Sequence, residues 1–316
     1  MPNDLSARLG KRAARGSLAH SPPEAREGDE VAMSSLFGPA DEGTCDAYRA
    51  CRDHGTKADA RAFLEHAWDR LGHLVGDRQQ HFLTEFRSNF HAKSWELYLL
   101  DVLSAASCRI EPGKPEGPDI CAIIGGKRVW IEAVVPTPGA PESPDRVFQR
   151  PSGPWAGALY PEAALLIRYR SVLEEKLKKI DRYLAKGVIA STDVVLIAVN
   201  QGAILDSDLH DVEVPAIVKA VFPLGETVMV VTPYSEEPPR VEIPPRFSVT
   251  KKTGAEVSTT LFIEPRSAAI SGVLFASQVV WNLQKTAVMD VNYSCRCAPT
   301  IPAGPRQVHV RCRRCN

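Results

Sequence analysis

The sequence predicts an α/β domain with a mixed sheet flanked by helices. Three observations carry this expectation. Helical apolar periodicity begins at Ala58 and returns over 161–186, and Gly125-Gly126 joins two short apolar runs as a hairpin. The run DVVLIAVN at 193–200 is apolar on both faces, the pattern of a central strand in a covered sheet. At 316 residues and 44% hydrophobic content the chain can bury a sizeable core.

Taken in chain order, residues 1–55 mix Ser, Pro, Gly, Ala and charge without periodicity, so a disordered leader is expected there. A single α/β domain is expected over 56–286, and a Cys/Arg-rich tail over 287–316. In the first helix Phe63, Ala67, Leu71 and Leu74 share a face; a second helix is expected over 79–90. A third, over 92–106, carries the stripe Trp95, Leu99, Val102, Leu103 and Ala106. The hairpin of 117–135 follows, then a Pro-rich connection that can continue neither helix nor central strand. A long helix over 161–186 stops at Gly187, and a short one is expected over 214–221. Further strands are expected at 227–232, 246–251, 258–263 and 272–277.

Lys+Arg and Asp+Glu both number 38, so any basic surface must be local. No apolar run approaches the roughly 20 residues that span a bilayer, and no apolar segment follows the basic start. A cytoplasmic protein without membrane contact is expected. Cys108 and Cys121 lie in apolar-periodic segments and read as small buried hydrophobes. No Walker A motif, nucleophile elbow or dinucleotide fingerprint occurs, and the histidines do not cluster at ligand spacing.

The hairpin holds the chemistry. With Gly125-Gly126 at a two-residue turn, Ile124 faces Lys127 and Ala122 faces Val129, which carries Asp119 opposite Glu132. Carboxylates so opposed repel, and a hard divalent cation such as Mg²⁺ suits them. The plain alternative is an edge hairpin whose acids point to water.

These residues resemble the PD-(D/E)XK nuclease superfamily, of restriction-endonuclease-like fold. The resemblance rests on Glu96 in SWELYLL, Pro118-Asp119 at a strand start and Glu132 in IEAVV, spaced Asp-x₁₂-Glu. The helix, hairpin, helix, strand order is similar too, with two of the family's three leading strands visible. The resemblance implies Mg²⁺ or Mn²⁺ held by Asp119, Glu132 and the backbone carbonyl of Ala133, with Glu96 binding a second ion or steering water. It departs where the family has Lys, at Val134. Some members supply that lysine from the following helix. There Glu174–Lys178 and Glu175–Lys179 are i,i+4 pairs, whereas Lys176 borders the apolar stripe Leu166, Tyr169, Leu173, Leu177, Ile180 and Leu184. Lys176 therefore either snorkels to solvent or aims into a site.

The expected function is a metal-dependent DNA endonuclease using Glu96, Asp119, Glu132 and Lys176, with Arg168, Lys179 and Tyr183 as nucleic-acid contacts. One site cuts one strand, so a homodimer would cut two. The alternative is a catalytically degenerate nucleic-acid- or protein-binding module. For Glu96 the bland reading is a buried ion pair with an arginine. Cys295, Cys297, Cys312 and Cys315 would either hold a structural Zn²⁺ beside a basic arm or belong to a disordered end. A third reading makes that tail a zinc-dependent recognition element and the hairpin acids purely structural.

Overall fold

A computed structural model describes residues 35–147, 161–204, 214–234 and 238–277, together with the backbone of 292–295. Four helices come first: α1 (Asp46–Asp53), α2 (Ala58–Leu71), α3 (Gln79–Ser88) and α4 (Phe90–Ala105). Their shared interior is aromatic. Trp68 of α2 stacks on Phe82, Phe82 on Phe86, and Tyr48 of α1 meets Phe86 edge-on. Such offset and T-shaped contacts add to the large apolar area these rings remove from water.

This packing corrects the expected leader. Leu36, Tyr48 and Cys51 are buried, and the Tyr48 hydroxyl both donates to the Gly38 carbonyl and accepts from the Gly38 N–H. Residues 35–55 thus belong to the folded unit that begins at Ser35, while 1–34 lie outside the described residues. Tyr48 and Cys51, on one face of this short helix, dock it on the aromatic interior. The α2 stripe is centred on Ala60, Leu64, Ala67, Trp68 and Leu71 rather than on Phe63 and Leu74. In α4 every residue from Ser94 to Leu100 is buried, whereas Ala106, expected in its core stripe, is exposed.

The main sheet runs β1 (Arg109–Glu111), β2 (Ile120–Ile124), β3 (Lys127–Val134), β4 (Val194–Asn200), β9 (Gly272–Ala276) and β10 (Asn292–Cys295). The first three strands are antiparallel, β3, β4 and β9 are parallel, and β10 is antiparallel to β9. The sheet is therefore mixed, as expected. Ile124 pairs with Lys127 and Ile120 with Ile131, the register anticipated for a Gly-Gly turn; Gly125 and Gly126 both have positive φ, as that turn demands.

The helix α5 (Glu162–Ala185) makes the crossover between parallel strands β3 and β4. Its Leu166, Tyr169, Leu173, Leu177 and Ile180 pack with Cys121, Trp130, Val195, Ile197 and Val199, which share one face of the sheet. The alternating residues Val129 and Ile131 turn to the other face, where α4 lies and the Trp95 indole N–H donates to the Ala198 carbonyl at 3.0 Å. The helix α6 (Ala216–Val221) packs on α5, and Lys219 and Arg246 both pair with Glu162 at the start of α5.

Two small ribbons complete the unit: β5 (Val228–Val230) with β6 (Arg240–Glu242), and β7 (Ser248–Thr250) with β8 (Glu256–Ser258). The strand expected at 258–263 is instead the end of β8 followed by a 3₁₀ turn over Leu261–Ile263. Leu261 and Phe262 are buried in one core cluster there, whereas strand alternation would send them to opposite faces. No helix among the described residues is long and apolar enough to cross a membrane.

Candidate functional site: a lysine-bridged carboxylate cluster

Asp119 stands at the mouth of β2, Glu132 lies inside β3, and Glu96 projects from α4. The hairpin register brings the first two together on the face toward α5. One oxygen of Asp119, Oδ2, accepts from the Ala133 N–H at 2.9 Å, so the carboxylate caps the strand beside Glu132. Glu132 is fully buried, and its Oε1 has no hydrogen-bond partner among the described residues.

Two lysines of α5 meet these acids. Lys176 Nζ lies 2.8 Å from Glu132 Oε2 and 3.8 Å from Asp119 Oδ2, so it bridges the pair. Of the two readings open for Lys176, the structure shows the side chain aimed inward. Lys179 Nζ reaches the same Glu132 Oε2 at 3.1 Å. This corrects the expected Glu175–Lys179 helix-surface pair: a buried carboxylate in low dielectric outcompetes a solvated one. Glu174, expected to pair with Lys178, binds Arg170 and Arg266 instead. Tyr183 donates its hydroxyl to the Gly117 carbonyl at 2.9 Å, tying α5 to the turn that delivers Pro118-Asp119. Arg168, about four turns before Tyr183 on α5, donates to the carbonyl and hydroxyl of Thr137, not to the acids.

The helical layer contributes two cations that sequence reasoning missed. Lys93 pairs with Glu96 at 2.8 Å, one turn away on α4, so the partner of Glu96 is a lysine and not the arginine considered above. Arg78 donates to the Asp119 carbonyl at 2.8 Å and stands 3.9 Å from its Oδ1. Arg78 reaches across because Gly76, at φ 65°, and Gly113 let two backbones touch; a Cβ at Gly76 would sit 2.3 Å from the Gly113 carbonyl oxygen. The i,i+3 spacing of Lys93 and Glu96 was a signal available in the sequence, whereas nothing local marks Arg78.

Burial and the neighbouring charges compete over the protonation of the three acids. Burial and the nearby Asp119 charge push Glu96 up to about 7 against the pull of Lys93. The same two causes raise Glu132 above the ordinary carboxylate range, despite its lysines. For Asp119 burial also acts upward, but Lys176, Lys179, Lys93 and the Ala133 N–H outweigh it and hold the carboxyl below its usual value.

A pH prediction follows from Glu96. A carboxyl whose folded pKa is raised adds stability that is full below the unfolded value near 4.5 and is lost as pH rises through about 7. Glu96→Gln should therefore remove a part of the pH dependence of unfolding free energy in that window. Urea titrations across it are expected to show the wild type gaining stability relative to the variant as pH falls; parallel curves would refute the assignment.

Among the described residues no three or more His, Cys, Asp or Glu side chains are grouped to hold a metal ion. Of the tail cysteines, Cys295 ends β10 opposite Gly272, and Cys297, Cys312 and Cys315 lie outside the described residues. Comparison with models of known protein families, with curated proteins and with solved structures gives no match.

Proposed function

We propose that the chain is a Mg²⁺- or Mn²⁺-dependent phosphodiesterase of restriction-endonuclease-like type acting on DNA. The observation that carries this reading is the bridging position of Lys176, 2.8 Å from Glu132 and 3.8 Å from Asp119, on the helix that follows the hairpin. It supplies the cation that Val134 cannot. A buried Glu132 Oε1 without a hydrogen-bond partner among the described residues, beside a second carboxylate, fits a hard cation that needs one or two carboxylates and completes its shell with water and phosphate. Asp119, Glu132 and the Ala133 carbonyl would hold it.

When bound, the metal would polarise the scissile phosphate and lower the pKa of a water molecule. Lys176 would orient the attacking water and balance charge growing on the phosphate. Glu96, near enough to Asp119 to feel its charge, would accept a hydrogen bond from water in the site. The Lys179 and Tyr183 end of α5 offers a cation and a ring to a polyanion beside the acids.

A second reading has its own observation. Two lysines on one carboxylate already provide the positive charge that a metal would bring, which favours a non-catalytic binding module. Calorimetric titration with Mg²⁺ separates the two. Wild type is expected to bind, and the Asp119→Asn, Glu132→Gln double variant is expected not to. Absence of binding by wild type, with and without a DNA duplex present, would overturn the nuclease reading in favour of the module.

A further inference from the structure

We propose that Lys179 is an exchangeable cation: it occupies Glu132 in the metal-free protein, leaves when a divalent ion enters, and then contacts a phosphodiester oxygen of the substrate. This rests on the metal-dependent reading above and adds a coupling between metal and substrate to it.

The starting observation is crowding. Lys176 and Lys179 place two ammonium groups on the same oxygen, Glu132 Oε2, at 2.8 and 3.1 Å, while Oε1 of that carboxylate is buried without a hydrogen-bond partner among the described residues. Like charges so close repel, and low dielectric strengthens the repulsion. A divalent ion arriving at the same carboxylate adds two more positive charges. One ammonium must then withdraw.

The two lysines are not equally held. Lys176 is 13% exposed and has a second acid, Asp119, within 3.8 Å. Lys179 is 32% exposed, and Glu132 is its one salt-bridge partner among the described residues. It also has a place to go. Its Nζ stands 5.7 Å over the Tyr183 ring, and that ring is fixed by the hydroxyl bond to the Gly117 carbonyl. Cation–π attraction can support an ammonium group at a partly exposed edge. From there a flexible four-carbon stem with three donors can meet a phosphate, which takes a point charge without demanding planar geometry. Metal binding would thus free a substrate contact, and by reciprocity the substrate would tighten the metal.

The test measures Mn²⁺ affinity of the full chain by the paramagnetic resonance of free Mn²⁺, for wild type, Lys179→Met and Lys179→Gln, with thermal unfolding of each variant as a check on folding. Loss of the competing ammonium is expected to tighten Mn²⁺ binding about tenfold or more in both variants, and to raise KM for a DNA duplex. Equal or weaker Mn²⁺ binding in folded variants would overturn the exchange and leave the metal site standing. No Mn²⁺ binding by any of the three proteins would remove the metal reading itself and the exchange with it.

Discussion

Lys176→Met is expected to lower DNA cleavage by about 10²–10⁴-fold, the range over which a positioned proton-transfer or charge-stabilising group contributes. The fold should survive the change. In the metal-free protein Lys179 stays on Glu132, and Asp119 keeps its Ala133 N–H and the Arg78 contacts, so neither acid is stripped of partners. Single-turnover cleavage at saturating Mg²⁺ is the measurement, because it isolates the chemical step from metal and substrate binding. Lys176→Arg is expected not to restore the rate: guanidinium keeps its proton, and its planar fork does not reproduce a point contact to both acids. Undiminished cleavage in Lys176→Met would show that α5 does not supply the cation missing at Val134.

Trp95→Ala should destabilise the fold by about 3–5 kcal/mol, the usual cost of truncating a buried large aromatic. Trp95 is 1% exposed, stacks on Tyr98 with ring centroids 5.6 Å apart and donates its indole N–H to the Ala198 carbonyl at the centre of the sheet. The truncation would remove a large apolar side chain and that hydrogen bond together. Chemical denaturation of the two proteins reads the difference as a shift in midpoint. A loss below about 1 kcal/mol would mean that the α4 to sheet contact collapses around the gap. Because Trp95 adjoins Glu96, the same variant is expected to displace Glu96 from Asp119, with a fall in Glu96 pKa as the site opens to water.

Much of the architecture could be read from local pattern. The Gly-Gly turn specifies the β2–β3 register because side chains alternate with a period of two, and one residue of slip would turn Glu132 to the opposite face. The α5 stripe and the apolar run of β4 follow from periodicity and length in the same way. Three-residue β1 has too little sequence to alternate, and α1 is held by Tyr48 and Cys51 against partners far along the chain. The run 258–263 has strand-like composition, yet Leu261 and Phe262 both face inward and the backbone turns to allow it. In each case burial against a distant surface overrode a weak local preference.

The site divides along the same line. That Asp119, Glu132 and Lys176 are chemically unusual where they stand was visible from neighbours in sequence: acids in apolar strands, and a lysine bordering a buried helix stripe. Which cation each acid meets was not visible, because Glu132 lies 44 and 47 residues from its two lysines and Asp119 lies 41 from Arg78. Local spacing assigned Lys179 to Glu175, and packing gave it to Glu132. The reason is dielectric: a surface i,i+4 pair gains a few tenths of a kcal/mol in water, whereas a carboxylate taken out of water draws the nearest cations the fold can bring to it.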